Sequence, residues 1–140
     1  MSERETIEAG IAAWNEGGVD AFLPYLAPDV TWHAPPEFPG GDVWHDRDSL
    51  APVMRDQFGP DGVFSSYSME LVEAREAPNG WFIETRQNAT HPSGMSIDWM
   101  AFFVVQLEQE QVKTIWTFMD RAPAIAQAGL AGSGGVRCST

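Results

Sequence analysis

Trp81-Phe82-Ile83-Glu84-Thr85-Arg86-Gln87-Asn88-Ala89-Thr90 is preceded by Pro78-Asn79-Gly80 and followed by His91-Pro92-Ser93-Gly94. The stretch has no helical period, is rich in aromatic and β-branched side chains, and is bracketed by turn signals, so it predicts a strand between two hairpin connections. Reading outward, Ser66–Glu76 is the partner strand across the Asn-Gly turn and Met95–Leu107 is the longest strand. The polar Glu108–Gln111 makes a third turn, and Val112–Met119 is the last strand. Short connections throughout predict an antiparallel meander.

The residues before it read as helices. Ser2 followed by Glu5 forms a capping box, and Ile7, Ile11 and Trp14 recur at helical spacing until Asn15-Glu16-Gly17-Gly18 stops the run. Val19, Phe22, Leu23 and Leu26 give a second, brief or distorted helix around Pro24, closed by Pro28. Val30-Thr31-Trp32-His33 predicts a short strand, ended by Pro35-Pro36 and assigned to a sheet edge. Glu37 to Val43 reads as a loop. Asp46 or Asp48 caps a third helix with Leu50, Val53, Met54 and Gln57 on one side, ended by Gly59-Pro60-Asp61-Gly62. After the meander, Asp120 caps a closing helix, Ala122–Ala128, ended by Gly129. Helices first and a meander afterwards predict an α+β domain over 1–130, with helices on one face of the sheet and a flexible tail over 131–140.

Bulk properties exclude several function classes. Twenty acidic against eight basic residues give a net charge of -12, with Lys113 the single lysine. That field repels phosphate backbones and anionic lipid, so neither nucleic acid nor a membrane is an expected partner. Cys138 is the single cysteine, so no intrachain disulfide forms. No apolar run is long enough to span a bilayer, and Met1-Ser2-Glu3-Arg4-Glu5 lacks the pattern of a signal peptide. The expectation is a soluble cytoplasmic protein. The three histidines lie far apart and no His-Glu-x-x-His or Cys-x-x-Cys spacing occurs, so no metal and no cofactor are expected.

Trp14-Asn15-Glu16-Gly17-Gly18, then Leu26-Ala27-Pro28-Asp29-Val30-Thr31-Trp32, and finally Asp120-Arg121-Ala122 through Ala128-Gly129-Leu130, in this order and spacing, resemble the SnoaL-like branch of the nuclear transport factor 2-like superfamily. The resemblance covers nearly the whole chain. It implies a cone-shaped, cystatin-like roll in which helices and a curved sheet enclose one hydrophobic pocket. Fold alone does not give function. Where the ketosteroid isomerase relatives carry their base aspartate, tyrosine and acid aspartate, this chain has Ala34, Gly10 and Phe103. Where limonene-epoxide hydrolases carry an arginine flanked by two aspartates, it has Arg86, Asn88 and Thr117, and their strand-one tyrosine and asparagine correspond to Trp32 and Ala34. Neither chemistry is expected.

Side chains alternate along a strand, so Phe82, Glu84, Arg86, Asn88 and Thr90 share one side and Trp81, Ile83, Thr85 and Gln87 the other. The resemblance places the Arg86 side inside the cone. There, Arg86 would bind a carbonyl, enolate or carboxylate oxygen, Glu84 would act as base or acid, and Asn88 would orient the ligand. The bland alternative is an ion pair on the solvated rim or at a dimer contact. His45 sits at the family's pocket mouth and joins Glu84 and Arg86 as a catalytic candidate. His33, alternating with Trp32, faces away from the pocket, and His91 is exposed in a turn. Trp32, Asn88, Phe103, Ile115, Thr117 and Met119 are the candidate substrate-binding residues, while Trp14 and Trp99 fill the core. Trp116 and Phe118 alternate onto the outer face, where a homodimer would form.

The leading expectation is a cofactor-independent, polyketide cyclase-like enzyme performing acid-base isomerisation, cyclisation, dehydration or hydrolysis. Its substrate would be a small apolar molecule of polyketide or terpenoid type. The alternative is a non-catalytic ligand-binding or dimeric interaction domain of the same fold.

Overall fold

The computed structural model describes residues 2–34, 43–58 and 66–130. The Glu37–Asp42 part of the expected loop, the Gly59–Gly62 helix stop and the 131–140 tail lie outside them. The first helix, α1 (Glu3–Phe22), starts where the capping box places it. Ser2 Oγ accepts from the Glu5 amide at 3.1 Å, and Glu5 Oε1 accepts from the Ser2 amide at 2.8 Å. Gly18, at φ 73° and ψ -154°, breaks the ladder at the predicted place and kinks the helix. Its continuation is short: a 3₁₀ turn at Leu23–Tyr25 leads directly into β1 (Leu26–His33).

β1 therefore begins four residues before the predicted Val30. Pro28 is accommodated because the β1 register is irregular between Leu26 and Thr31, where no ladder bond is required of it. Nor is β1 an edge strand. It pairs antiparallel with the two-residue β2 (Val43–Trp44) on one side and parallel with β6 (Gln111–Phe118) on the other. A parallel partner so distant in sequence leaves no local signal in the residues that form it.

Asp46 caps α2 (Arg47–Phe58), its Oδ1 accepting from the Ser49 amide at 2.6 Å. That bond holds the Asp46 carboxyl below its usual pKa. Leu50 and Met54, four residues apart, are both buried on one face of the helix. The meander follows as predicted: β3 (Ser66–Ala77), β4 (Gly80–Thr90), β5 (Ser96–Glu108) and β6. The sheet order is β2-β1-β6-β5-β4-β3. A bulge at Val72, between the Leu71–Thr85 and Glu73–Glu84 pairs, switches the inward parity of β3 from Tyr67, Met69 and Leu71 to Ala74. Such an extra residue bends and twists a strand, here the outermost strand on the β3 side of the curved sheet.

Two apolar clusters divide the molecule. On the concave side, Ile7, Trp14, Leu50 and Met54 of α1 and α2 meet Ile83, Phe103 and other inward residues of the sheet. On the convex side, α3 (Arg121–Ala128) lays Ala124 and Ala128 over Phe82, Phe102 and Val104. The expectation that all helices pack on one face is thus corrected. α3 presents small alanines, and these let it sit close on the back of the sheet. Its C-terminus is fixed at the β3–β4 turn, where the Asn79 amide donates to Ala128 O at 3.0 Å and Asn79 Nδ2 donates to Gln127 O at 2.9 Å. Gly129 closes the helix in the left-handed region at φ 86°.

Candidate functional site

The concave side encloses a cavity of about 350 Å³, within the range of small-molecule pockets. Four of the six tryptophans line it: Trp14 from α1, Trp32 from β1, Trp44 from β2 and Trp99 from β5. Trp14 and Trp99 were expected to fill the core; both stand edge-on to Tyr67, with ring centroids 5.6 Å apart in each pair. Aromatic pairs at this spacing and angle hold one another rigidly. The cavity therefore has stiff, flat apolar walls.

Of the predicted site residues, Trp32, Phe103, Ile115, Thr117 and Met119 line this cavity. Glu84, Arg86, Asn88 and His45 do not. Arg86 points to the outside of the sheet, where Nη1 meets Glu70 Oε1 at 3.3 Å with both side chains more than half exposed. Glu84 Oε1 accepts from Arg121 Nε at 3.3 Å beside α3. Asn88 Nδ2 donates to Ser96 Oγ at 3.0 Å and Asp98 Oδ1 at 2.7 Å on the outer face. His45 is exposed just beyond β2. The placement of the Arg86 row inside the cone is therefore reversed. The physical reason is desolvation, since a carboxylate and a guanidinium buried in an apolar cavity would need partners that the aromatic walls do not supply.

The inward row of β4 is instead Trp81, Ile83, Thr85, Gln87 and Ala89, all buried. Thr85, Gln87 and Tyr67 are the functional candidates that sequence reasoning missed. Their signal was present, because theirs is the face of the strand without charge. They form a continuous hydrogen-bonded chain. Tyr67 Oη pairs with Gln87 Oε1, Gln87 Nε2 donates to Thr85 Oγ1 at 3.1 Å, and Thr85 Oγ1 donates to the Ala101 carbonyl at 3.0 Å. Burial pushes the Tyr67 phenol well above its ordinary pKa of 10.0. It stays neutral and can only donate or accept a hydrogen bond.

Across the cavity Thr117 differs. Its Oγ1 is buried and has no hydrogen-bond partner among the described residues. No Asp, Glu, His, Lys or Arg is among the described residues that line the cavity. No cluster of three metal-ligating side chains occurs among them either. The described lining residues offer apolar contact and neutral hydrogen bonding.

The outer face carries its own aromatic group. His33 stacks on Trp116, with ring centroids 5.2 Å apart and planes 12° apart, so His33 does face away from the cavity. It is half-buried rather than fully solvated, and desolvation, assisted by the charge of His45, lowers its pKa below 6.5. Trp116 and Phe118 lie on this face as expected, packed against the cluster that α3 covers.

Residues 7–115 match the family described as SnoaL-like domain. No curated protein matches the sequence. Among solved structures, an NTF2-like protein of unknown function from Burkholderia pseudomallei is 20% identical with a TM-score of 0.72, covering 91% of this chain and 98% of its own. TerC, co-crystallised with polyporic acid, is 14% identical with a TM-score of 0.69 and coverage of 90% and 96%. An LEH-like epoxide hydrolase from M. tuberculosis is 10% identical with a TM-score of 0.67 and coverage of 90% and 88%. At these identities the likeness is one of fold. The described residues contain no helix long and apolar enough to cross a membrane.

Proposed function

Because the chain belongs to the SnoaL-like domain family, we propose that it works through its interior cavity, as a binder of a small, uncharged, largely aromatic molecule. The carrying observation is the lining: rigid indole and phenyl walls with hydroxyls and one amide, and no ionisable carboxylate, imidazole, amine or guanidinium among the described lining residues. Trp32, Phe103, Ile115, Thr117 and Met119 keep the substrate-binding role expected of them, joined by Tyr67, Thr85 and Gln87. General acid-base catalysis near neutral pH needs a group that exchanges protons there, and a phenol raised by burial is not one. The geometry thus favours the non-catalytic alternative over the isomerase, cyclase or hydrolase reading. TerC, a similar fold crystallised with polyporic acid, supports a cavity that takes a small ring-containing molecule.

The test uses the four cavity tryptophans as reporters. Neutral flat aromatics are expected to quench and shift the intrinsic fluorescence saturably and to be recovered unchanged after prolonged incubation. Chemical conversion of a bound compound would overturn the non-catalytic reading, and failure of every apolar aromatic to bind would overturn the pocket assignment.

The enzymatic reading with Glu84, Arg86 and His45 requires chemistry on the outer surface. Arg86→Ala separates the two readings. Binding in the cavity is expected to be unaffected, because the side chain is solvated and on the opposite side of the sheet. Self-association through the outer face around Trp116 and Phe118 is a further part of the proposal, checked by sedimentation of wild type against Trp116→Glu. Cytoplasmic residence is retained with it.

A further inference from the structure

Resting on the reading of the cavity as a ligand site, we infer that it selects an elongated neutral molecule with two polar ends: a hydrogen-bond acceptor held by Gln87 and a hydroxyl held by Thr117.

The first pole follows from the direction of the buried hydrogen-bond chain. The Ala101 carbonyl can only accept, so the Thr85 hydroxyl donates to it. Thr85 Oγ1 must then accept from the Gln87 amide nitrogen, which turns Gln87 Oε1 toward the Tyr67 hydroxyl. One backbone carbonyl thereby fixes the orientation of three side chains. The amide nitrogen carries two hydrogens, and Thr85 uses one. The other is a donor on a cavity-lining residue only 2% exposed, so this end of the cavity offers a donor to a ligand acceptor.

The second pole is Thr117. Thr117 is a lining residue whose oxygen is buried and has no partner among the described residues. A hydroxyl both donates and accepts, so a ligand hydroxyl there completes the pairing in either sense.

Register gives the separation. Gln87 pairs with Trp99, whereas Thr117 pairs with Phe103, which pairs with Ile83. The poles are thus four residues apart along the strands and two strands apart across them, about 16 Å over the sheet surface at ordinary strand spacings. Side chains reaching inward from a concave sheet shorten that span, so two linked rings are the trial length for a probe. Between the poles lie Ile83, Ala101 and Phe103, which offer only apolar surface. A ligand with its polar groups bunched at one end would leave one pole unmatched, and one with a polar centre would face hydrocarbon.

A matched set of probes decides the matter: biphenyl, 4-acetylbiphenyl, 4-hydroxybiphenyl and 4-acetyl-4′-hydroxybiphenyl, each titrated against tryptophan fluorescence. Each correctly placed polar end is expected to tighten binding by about tenfold, the usual worth of one neutral hydrogen bond. Thr117→Val should reduce the affinity of the doubly substituted probe to that of 4-acetylbiphenyl. Gln87→Met should reduce it to that of 4-hydroxybiphenyl. Biphenyl itself should bind every variant alike, which reports an intact cavity, and the Thr117→Val arm decides alone should Gln87→Met not fold. If biphenyl binds wild type and the polar ends add nothing, or if Thr117→Val keeps the full gain, the two-pole scheme is wrong while the pocket assignment stands. If no probe binds, the pocket assignment falls and the scheme with it.

Discussion

Thr117→Val should make the ligand-free protein more stable, against the usual direction for a substitution on a buried strand. Valine has the shape and β-branching of threonine and the same preference for strand geometry, so backbone and rotamer contributions cancel. What changes is one hydroxyl for one methyl at an atom that is buried and unpaired among the described residues. An unsatisfied buried hydroxyl costs about 1–3 kcal/mol by protein mutational data. The residue as a whole is only half-buried, so the lower part of that range applies, and a gain of ~1 kcal/mol is expected. For a chain of this size that raises the melting temperature by about 3–4 °C. Urea unfolding should show a higher midpoint with an unchanged slope, because the exposed surface is the same. Thr117→Ser is the control: it keeps the oxygen, loses the methyl, and should destabilise. If Thr117→Val proves neutral or less stable, the oxygen has a partner in the folded state. The second pole of the cavity would then be lost.

Gly80, at φ 132°, stands so that a Cβ would come within 2.3 Å of the Val105 carbonyl oxygen. Gly80→Ala combines a disallowed backbone with a backbone clash, and a loss of at least ~2 kcal/mol is expected in urea unfolding; a tolerated alanine would contradict this placement of the β3–β4 turn. His33 has a folded pKa below its unfolded value, so below about pH 6.5 the unfolded chain binds more protons and stability falls as pH falls, levelling off once the folded form also protonates. Melting temperatures measured from pH 8 to pH 5 should show this component, and His33→Phe, which preserves the stack on Trp116, should remove it. Asp46, whose carboxyl is depressed by its bond to the Ser49 amide, contributes stability above its unfolded pKa that is lost as pH falls through the folded value. Asp46→Ala should accordingly flatten the acid limb of the same curve below about pH 4.

Local chemistry was legible wherever it acts over a few residues. Ser2 with Glu5, the break at Gly18, the Asn79-Gly80 turn and the left-handed Gly129 each state their conformation in one short motif. Long-range pairing was not. Nothing in Leu26–His33 announces a parallel partner at Gln111–Phe118, and nothing in Arg121–Ala128 says which side of the sheet its alanines will cover. The error on β4 is of another kind, because two signals conflicted. The likeness to epoxide hydrolases put Arg86 inside, while the charges of Glu84 and Arg86 against the uncharged Ile83, Thr85 and Gln87 put it outside. Desolvation is the stronger physical constraint, and the structure follows it. Ile115, Thr117 and Met119 line the cavity as their alternation with the outward Trp116 and Phe118 predicts, with no charge among these five to confuse the pattern.

The parallel pairing of β1 with β6 has a consequence for biosynthesis. The strand that carries Trp32 leaves the ribosome well before the strand it must lie against, with four strands and a helix between them. Until Gln111–Phe118 is available, β1 has no neighbour in the meander, and joining them closes the longest loop in the sheet. The meander can assemble first from its short hairpins. The wall bearing Trp32 and Trp44 is then hung on it afterwards, so a growing chain has no finished chamber and no means of capturing its ligand until β6 has emerged.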